Sequence, residues 1–295
     1  MTDTTPKPSP IYTVEKGESL WVGAWHRLRK NKMALAGGVF ILLLAGLSFM
    51  GPFFLEGDYY TNTVLEDKLT APGAEYTLGT DHLGRDQLGR IIKGGQISLL
   101  VGLVATFVSL TIGIGYGTIS GYFGGKIDSV MMRLVDILYS LPFVIFVILL
   151  MVFAKDLGDS IDEWFRARGS DFSISGQWNM LLLFVAIGAV EWLTMARIVR
   201  GQVMSLRRQE FIEACISLGL PTRRILFRHM VPNILGPVIV YTTLTIPAVM
   251  LLEAFLSFLG LGVQPPTPSW GLLIKDGADR MREAWWMLVF PGALF

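Results

Sequence analysis

GGQISLLVGLVATFVSLTIGIGYGTISGYFGG, residues 94–125, carries no charged side chain. A helix needs about 20 mostly apolar residues to cross a bilayer, so this run is long enough to span it with a tilt. Further runs lie on either side. Residues 33–55 are uncharged between Lys32 and Glu56, and residues 138–154 form a run that takes in the Leu-Pro of YSLPF. Residues 179–199 are interrupted by Glu191, and residues 231–255 continue past Pro247. AWWMLVFPGALF, residues 284–295, begins a sixth run that is too short to cross and reads as a span cut short. The expected fold is therefore all-α: a polytopic membrane protein with six intended transmembrane helices, the sixth truncated.

Composition agrees. Hydrophobic residues make up 52% of the 295 and charged ones only 17%, too few for the surface of a soluble domain of this size. The formal net charge of +1 gives no general attraction to nucleic acid. One cysteine, Cys215, allows no internal disulfide, and His26, His82 and His229 lie too far apart to form a metal-ligand spacing. The polar, proline-containing start lacks the apolar core of a signal peptide. Basic residues are densest just before the first span, in HRLRKNK, and just after the fourth. By the positive-inside bias this places the N-terminus and the stretch after span four in the cytosol. Residues 1–33 then form a cytosolic tail, with Trp21, Trp25 and Leu28 on one face of an interfacial helix, and residues 34–295 form the membrane domain.

Between spans four and five stands EACISLGLPTRRILFRHMVPN, residues 213–233. Gln209 to Leu218 favours a helix with Phe211, Ile212, Cys215, Ile216 and Leu218 as an apolar stripe. Gly219 falls where a helix needs a left-handed cap, and Pro221 suits the first turn of a new helix. A second short helix over 222–230 carries Arg223, Arg224 and Arg228, and Pro232 marks entry to span five. This is a hinged, basic hairpin, which in isolation reads as an amphipathic element resting on headgroups.

The motif is more specific than that. EACISLG, followed after nine residues by HMVPN, resembles the EAA loop of ABC importer permeases; Glu213, Ala214, Gly219, Pro232 and Asn233 match its pattern. Cys215 stands where that family has alanine, and His229 and Val231 where it has Ile and Leu. EAFLSFLGLGVQPPTPSWG, residues 253–271, resembles the long signature of the peptide and nickel branch. GTDHLGRD (79–86), ISLLVG (97–102), GYFGGKIDSVMMRLVDILYSLP (121–142) and ARIVRGQ (196–202) agree, so the likeness covers about residues 19–295. It is closest to the C-type permease subunits of oligopeptide and dipeptide importers. The resemblance implies a non-enzymatic transport subunit of a bacterial inner membrane that forms half of a peptide pathway. Its EAA loop, about 205–230, couples it to an ATPase. The implied partners are a homologous permease, two ATP-binding subunits and an extracytoplasmic solute-binding protein. No cofactor is expected on this chain, since GGKID lacks the phosphate-loop spacing and ATP belongs to the partners. Glu213, Ala214, Gly219, Pro221, Arg223, Arg224, His229, Pro232 and Asn233 are the expected coupling residues. Nickel complexes or other small solutes are the alternative cargo within the family; a self-sufficient channel or carrier, or a membrane scaffold, is the alternative outside it.

Other features have two readings each. Gly102, Thr106, Ser109, Gly113, Gly117 and Gly121 form a small-residue face for close helix packing, within the chain or toward a sister subunit. Glu191 and Glu253 are costly in an apolar span and are candidate path residues. Glu191 either meets a substrate amine or pairs with a sister arginine, and Glu253 also has a structural reading near the end of span five. Asp81, Arg85, Asp86 and Arg90 are expected to form a local ion-pair network. Residues 154–177 read as a polar outer loop with a short helix carrying Ile161, Trp164 and Phe165.

Overall fold

The computed structural model describes residues 25, 28–55, 59–169 and 175–295. Among these the regular structure is helical, apart from one isolated antiparallel bridge between Thr80 and Asp86. Among the described residues four helices are long and apolar enough to cross a membrane, and five if one bent pair counts as a span. The chain divides into two units, Met1–Gly46 and Leu47–Phe295. In the first, helix α1 (Lys32–Met50, running on into the second unit) begins where the Asn31 side chain accepts from the Ala34 N–H at 3.1 Å. Most of the expected interfacial helix around Trp21 lies outside the described residues; Trp25 and Leu28 are helical.

The second unit is built on α2 (Gln87–Phe123) and α5 (Ser175–Arg207). Asp86 caps α2, its carboxylate accepting from the N–H groups of Leu88 and Gly89. The helix ends at Gly124, whose φ is +65°. At 1.5 Å per residue α2 is about 55 Å long, well beyond a bilayer core of about 30 Å. The small-residue face is resolved in favour of packing within the chain. A Cβ on Gly117 would lie 2.5 Å from the Ala196 carbonyl oxygen, and one on Gly121 2.8 Å from that of Arg200. From the other side, a Cβ on Gly188 would lie 2.8 Å from the Ala105 carbonyl oxygen. Contacts advance together along both helices, so α2 and α5 run parallel with their backbones nearly touching.

Parallel neighbours need a return path, which α3 (Gly125–Ser140) and α4 (Phe143–Arg166) provide. The third span, read as one run from residue 138, is instead broken at Leu141-Pro142 with a 99° bend. Leu141 is extended because a proline follows it, and Pro142 opens α4. The short helix expected in the outer loop is the far end of α4 itself, which continues through charged residues to Arg166. There the Arg168 guanidinium stacks on Trp164 at 3.5 Å. Residues 170–174 lie outside the described set.

After α6 (Glu210–Ser217), α7 (Thr222–Phe258) runs antiparallel to α2 and α5. Val249 and Leu256 join Val101, Leu183 and Ile187 in one core; Ile234 and Val238 join Met195, Val199 and Val203 in another. Helices α8 (Trp270–Asp279) and α9 (Trp286–Leu294) follow.

At the end of the bundle remote from α6, Asp81 anchors the irregular segment before α2. Its carboxylate accepts from Arg85 Nε at 2.7 Å, Arg90 Nη1 at 2.6 Å, and the N–H groups of Leu83 and Arg85. Arg90 also reaches Asp276 on α8 at 3.5 Å. The network is buried rather than superficial, and Asp86 serves as a helix cap, not as a member of it. Burial pushes the Asp81 carboxyl up, but the Arg90 and Arg85 charges and the two backbone N–H groups outweigh it and hold it below the usual carboxylate range.

Two outcomes follow. Gly117→Ala is expected to destabilise the detergent-solubilised protein by about 1–3 kcal/mol through overpacking against backbone, read as a lower melting temperature. Gly115→Ala, with nothing within 4 Å of its Cβ, should leave the melting temperature unchanged. Asp81→Asn strands two buried guanidiniums and should cost about 3–5 kcal/mol. Because the Asp81 pKa is depressed on folding, its stabilisation is present above the ordinary carboxylate value near 4. It is lost as pH falls through the lowered value, so acid unfolding of the parent should be steeper than that of Asp81→Asn.

Candidate functional site

The hairpin is made by a short helix stopped on a glycine. Helix α6 closes with the Leu220 N–H on the Cys215 carbonyl at 3.2 Å and the Gly219 N–H on that of Ile216 at 2.9 Å. Gly219 between them has φ +71°, so a left-handed residue is required there. Nothing lies within 4 Å of a Cβ placed on it; the demand is purely conformational. Pro221 stands at the N-cap of α7, one position earlier than a first-turn proline, and its carbonyl accepts from Arg224 and Ile225.

Two expectations are corrected here. The second arm is not a separate short helix over 222–230 with span five entered at Pro232. It is the start of α7, joined to the span through a π-helical turn at Ile225–Met230, in which the Val231 N–H reaches the Leu226 carbonyl. Pro232 lacks an N–H and sits in the first turn of the α segment that follows, where the missing donor costs little. The apolar stripe of α6 is also two faces. Ile212 and Cys215 are buried with Ile225, Leu226 and Met230 against Met195, Val199 and Val203 of α5. Phe211, Ile216 and Leu218 point outward, Leu218 being 79% exposed, as does Phe227 at 65%.

The polar residues singled out in the sequence lie around this exposed face. Glu213 and Ala214 are exposed on α6, and His229 is half-buried. The Asn233 side chain donates to the His229 carbonyl at 2.6 Å. Arg223, Arg224 and Arg228 are exposed and make no ion pair among the described residues. With Pro221, Phe227 and Pro232 they line an open groove of about 700 Å³. The result is a basic and apolar surface bolted from behind to α5 and α7, suited to receive another protein and to pass its movement inward.

Glu253 and Glu191 part company. Glu253 is fully buried; its Oε1 accepts from Ser257 at 2.8 Å and from Ser269 at 2.7 Å. Ser269 in turn caps α8 by accepting from the Leu272 N–H, and the Trp270 N–H donates to Ser98 on α2. The stretch 253–271 thus closes on itself, and Glu253 fastens that loop instead of facing an opening. Gly271 is needed beside it, since a Cβ there would lie 2.5 Å from Ala254 Cα. Glu191 is half-buried on α5 and makes no ion pair among the described residues.

Sequence reading missed the pairs that join two of its own motifs. Arg200 binds Asp128 through Nε and Nη2 at 2.5 and 2.6 Å, and Arg197 binds Asp136 at 2.8 Å. Asp128 and Asp136 stand in GYFGGKIDSVMMRLVDILYSLP, and Arg197 and Arg200 in ARIVRGQ. The signal was there as two acids in one motif and two arginines in the other, but nothing in their spacing says that α3 lies on α5.

Residues 113–295 match the family of binding-protein-dependent transport system inner membrane components. Residues 19–72 match the N-terminal TM domain of oligopeptide transport permease C. The chain is 45% identical over 278 residues to the oligopeptide transport system permease protein OppC of Haemophilus influenzae, covering 94% of this chain and 82% of that protein. For the protein of the same name from Escherichia coli K12 the values are 47% over 278 residues, 94% and 84%. The dipeptide transport system permease protein DppC of Bacillus subtilis is 39% identical over 290 residues, 98% and 81%.

The loop clamp has a direct check. Glu253→Ala leaves two buried serine hydroxyls without their acceptor, at about 1–3 kcal/mol each. Limited proteolysis of the membrane-inserted protein should then cut within 259–268, where the parent resists. Glu253→Gln keeps an acceptor oxygen and should be cut far more slowly than the alanine variant.

Proposed function

Since this chain belongs to the family of binding-protein-dependent transport system inner membrane components, we propose that it is the membrane-spanning subunit of an ATP-driven importer of short peptides, forming half of the translocation pathway. The relatives named for oligopeptide and dipeptide transport favour peptides over nickel complexes. On this reading it works in a bacterial inner membrane, with residues 1–33 on the cytosolic side. A homologous permease completes the pathway, two partner subunits bind and hydrolyse ATP, and an extracytoplasmic binding protein delivers the peptide. This chain itself catalyses nothing and needs no cofactor or nucleic acid.

One observation carries the coupling role. The hairpin and the α5 and α7 spans share a single core, through Ile212, Cys215, Ile225, Leu226, Met230, Met195, Val199 and Val203. A push on Leu218, Phe227 or the arginines therefore moves two spans and not just a loop. Glu213, Ala214, Gly219, Pro221, Arg223, Arg224, His229, Pro232 and Asn233 shape or surround the surface that takes the push.

Gly219→Val tests this. A β-branched residue forced to φ +71° costs at least about 1–2 kcal/mol and releases the α6 cap. Membrane insertion is expected to stay normal, while peptide uptake per ATP hydrolysed by the reconstituted complex drops about tenfold or more. Uptake equal to the parent's at the same ATPase rate would remove the hairpin from the coupling path.

A further inference from the structure

Helix α3 has three faces, and the bundle uses one of them. Val135 is buried with Trp192, Leu193 and Ala196 of α5, and Met132 and Leu138 pack on that cluster. Ile127, Val130, Leu134 and Ile137, spaced three and four residues apart, form an apolar ridge that stays exposed, Val130 at 72%. Lys126 and Arg133, both exposed and seven residues apart, border the ridge on the side away from Val135.

The charges on this helix do not balance. Both of its acids are taken by α5, Asp128 by Arg200 and Asp136 by Arg197. Lys126 and Arg133 make no ion pair among the described residues. Arg207 adds a third cation at the same end, donating to the Phe123 carbonyl at 3.4 Å just before the Gly124–Gly125 turn that starts α3. The uncompensated charge of this face is positive.

The helix also lies across the bundle instead of along it. Between the Asp128–Arg200 and Asp136–Arg197 pairs the contacts advance about 12 Å on α3 and about 4.5 Å on α5. At its far end the chain bends by 99° into α4. A steeply crossing helix with an apolar ridge outward and a basic border suits a membrane–water interface.

We propose that the ridge lies among the acyl chains of the inner leaflet and that Lys126 and Arg133 bind the headgroup phosphates of anionic lipid. The negative surface of that leaflet complements this face, whereas lysine is depleted where proteins meet one another. Arg133 offers the phosphate a fork of donors and Lys126 a point charge. Because α3 is pinned to α5, and α5 shares a core with the hairpin, the mooring bears on the helix that coupling moves. The inference goes beyond the importer reading and rests only on its cytosolic placement of this end of the bundle.

The test uses the assembled complex with its partner subunits in phosphatidylcholine nanodiscs. These hold a trace of phosphatidylglycerol with a photoactivatable acyl chain; a matched phosphatidylcholine probe is the comparison. After illumination, mass spectrometry should find adducts within 126–137 from the anionic probe well above those from the neutral one. Lys126→Gln combined with Arg133→Gln should lower the anionic adducts there about tenfold and leave the neutral ones unchanged. Lys126→Arg combined with Arg133→Lys keeps both charges and should keep the labelling. Melting temperatures of both double variants in phosphatidylcholine should match the parent's.

Equal labelling by the two probes overturns the headgroup site, and so does an anionic yield that survives the double glutamine change. Absence of adducts from either probe means that another subunit covers the ridge, and the proposal fails. The leaflet is checked with Ser129→Cys, exposed on α3, against the buried Cys215 as background. It should react with a membrane-impermeant thiol reagent from the cytosolic side; reaction only from outside overturns the inner-leaflet assignment. A complex that shows the lipid adducts but no ATP-driven peptide uptake overturns the importer reading and leaves the lipid site standing.

Discussion

The close approach of α2 to α5 is the constraint on which the rest of the membrane unit depends. Helix backbones come this near only where side chains are absent, and α2 supplies the gaps at Gly113, Gly117 and Gly121, answered by Gly188 on α5. In a bilayer no hydrophobic force drives such helices together, so dispersion contacts across a tight seam do most of the work. The seam also dictates connectivity. Because the two helices are parallel, the chain must travel the full height of the bundle between them, and the α3–α4 pair with its sharp bend makes that journey. α3 is held against α5 by Asp128–Arg200 and Asp136–Arg197, both pairs tying the first leg of the return path to the seam helix.

Much of this was legible in the sequence because the bilayer is a stringent solvent. Uncharged runs announce spans, and the regular return of small residues announces a packing face. Which partner the face meets was not legible, since glycine spacing is the same for a neighbour in the chain and one outside it. Boundaries failed where composition and helix geometry disagree. α4 runs on to Arg166 because helix propensity does not stop at the end of an apolar run. α7 starts ten residues before Pro232 because proline is harmless in a first turn and a π-turn absorbs the rest.

The candidate site shows the same division. Gly219 could be read as a cap from its position alone, and its φ agrees. The stripe on α6 could be counted but not divided, since a one-dimensional pattern does not tell which apolar residues face the chain's own core and which face outward. The two acids in spans looked alike in sequence and differ in space. Glu253 lies opposite a serine sixteen residues further on, a contact created by loop closure, whereas Glu191 makes no ion pair among the described residues.

The π-turn at Ile225–Met230 sets the phase between the two ends of one long rod. Leu226, Met230, Ile234 and Val238 are all buried, and each is four residues from the last. On an ideal α-helix each step of four overshoots a full turn by about 40°, so the set would wander by about 120° and leave the core. One extra residue in a single turn takes back about 100° of that drift. The buried edge of α7 therefore runs nearly straight from the hairpin into the membrane, and torque applied at one end arrives at the other without winding around the axis.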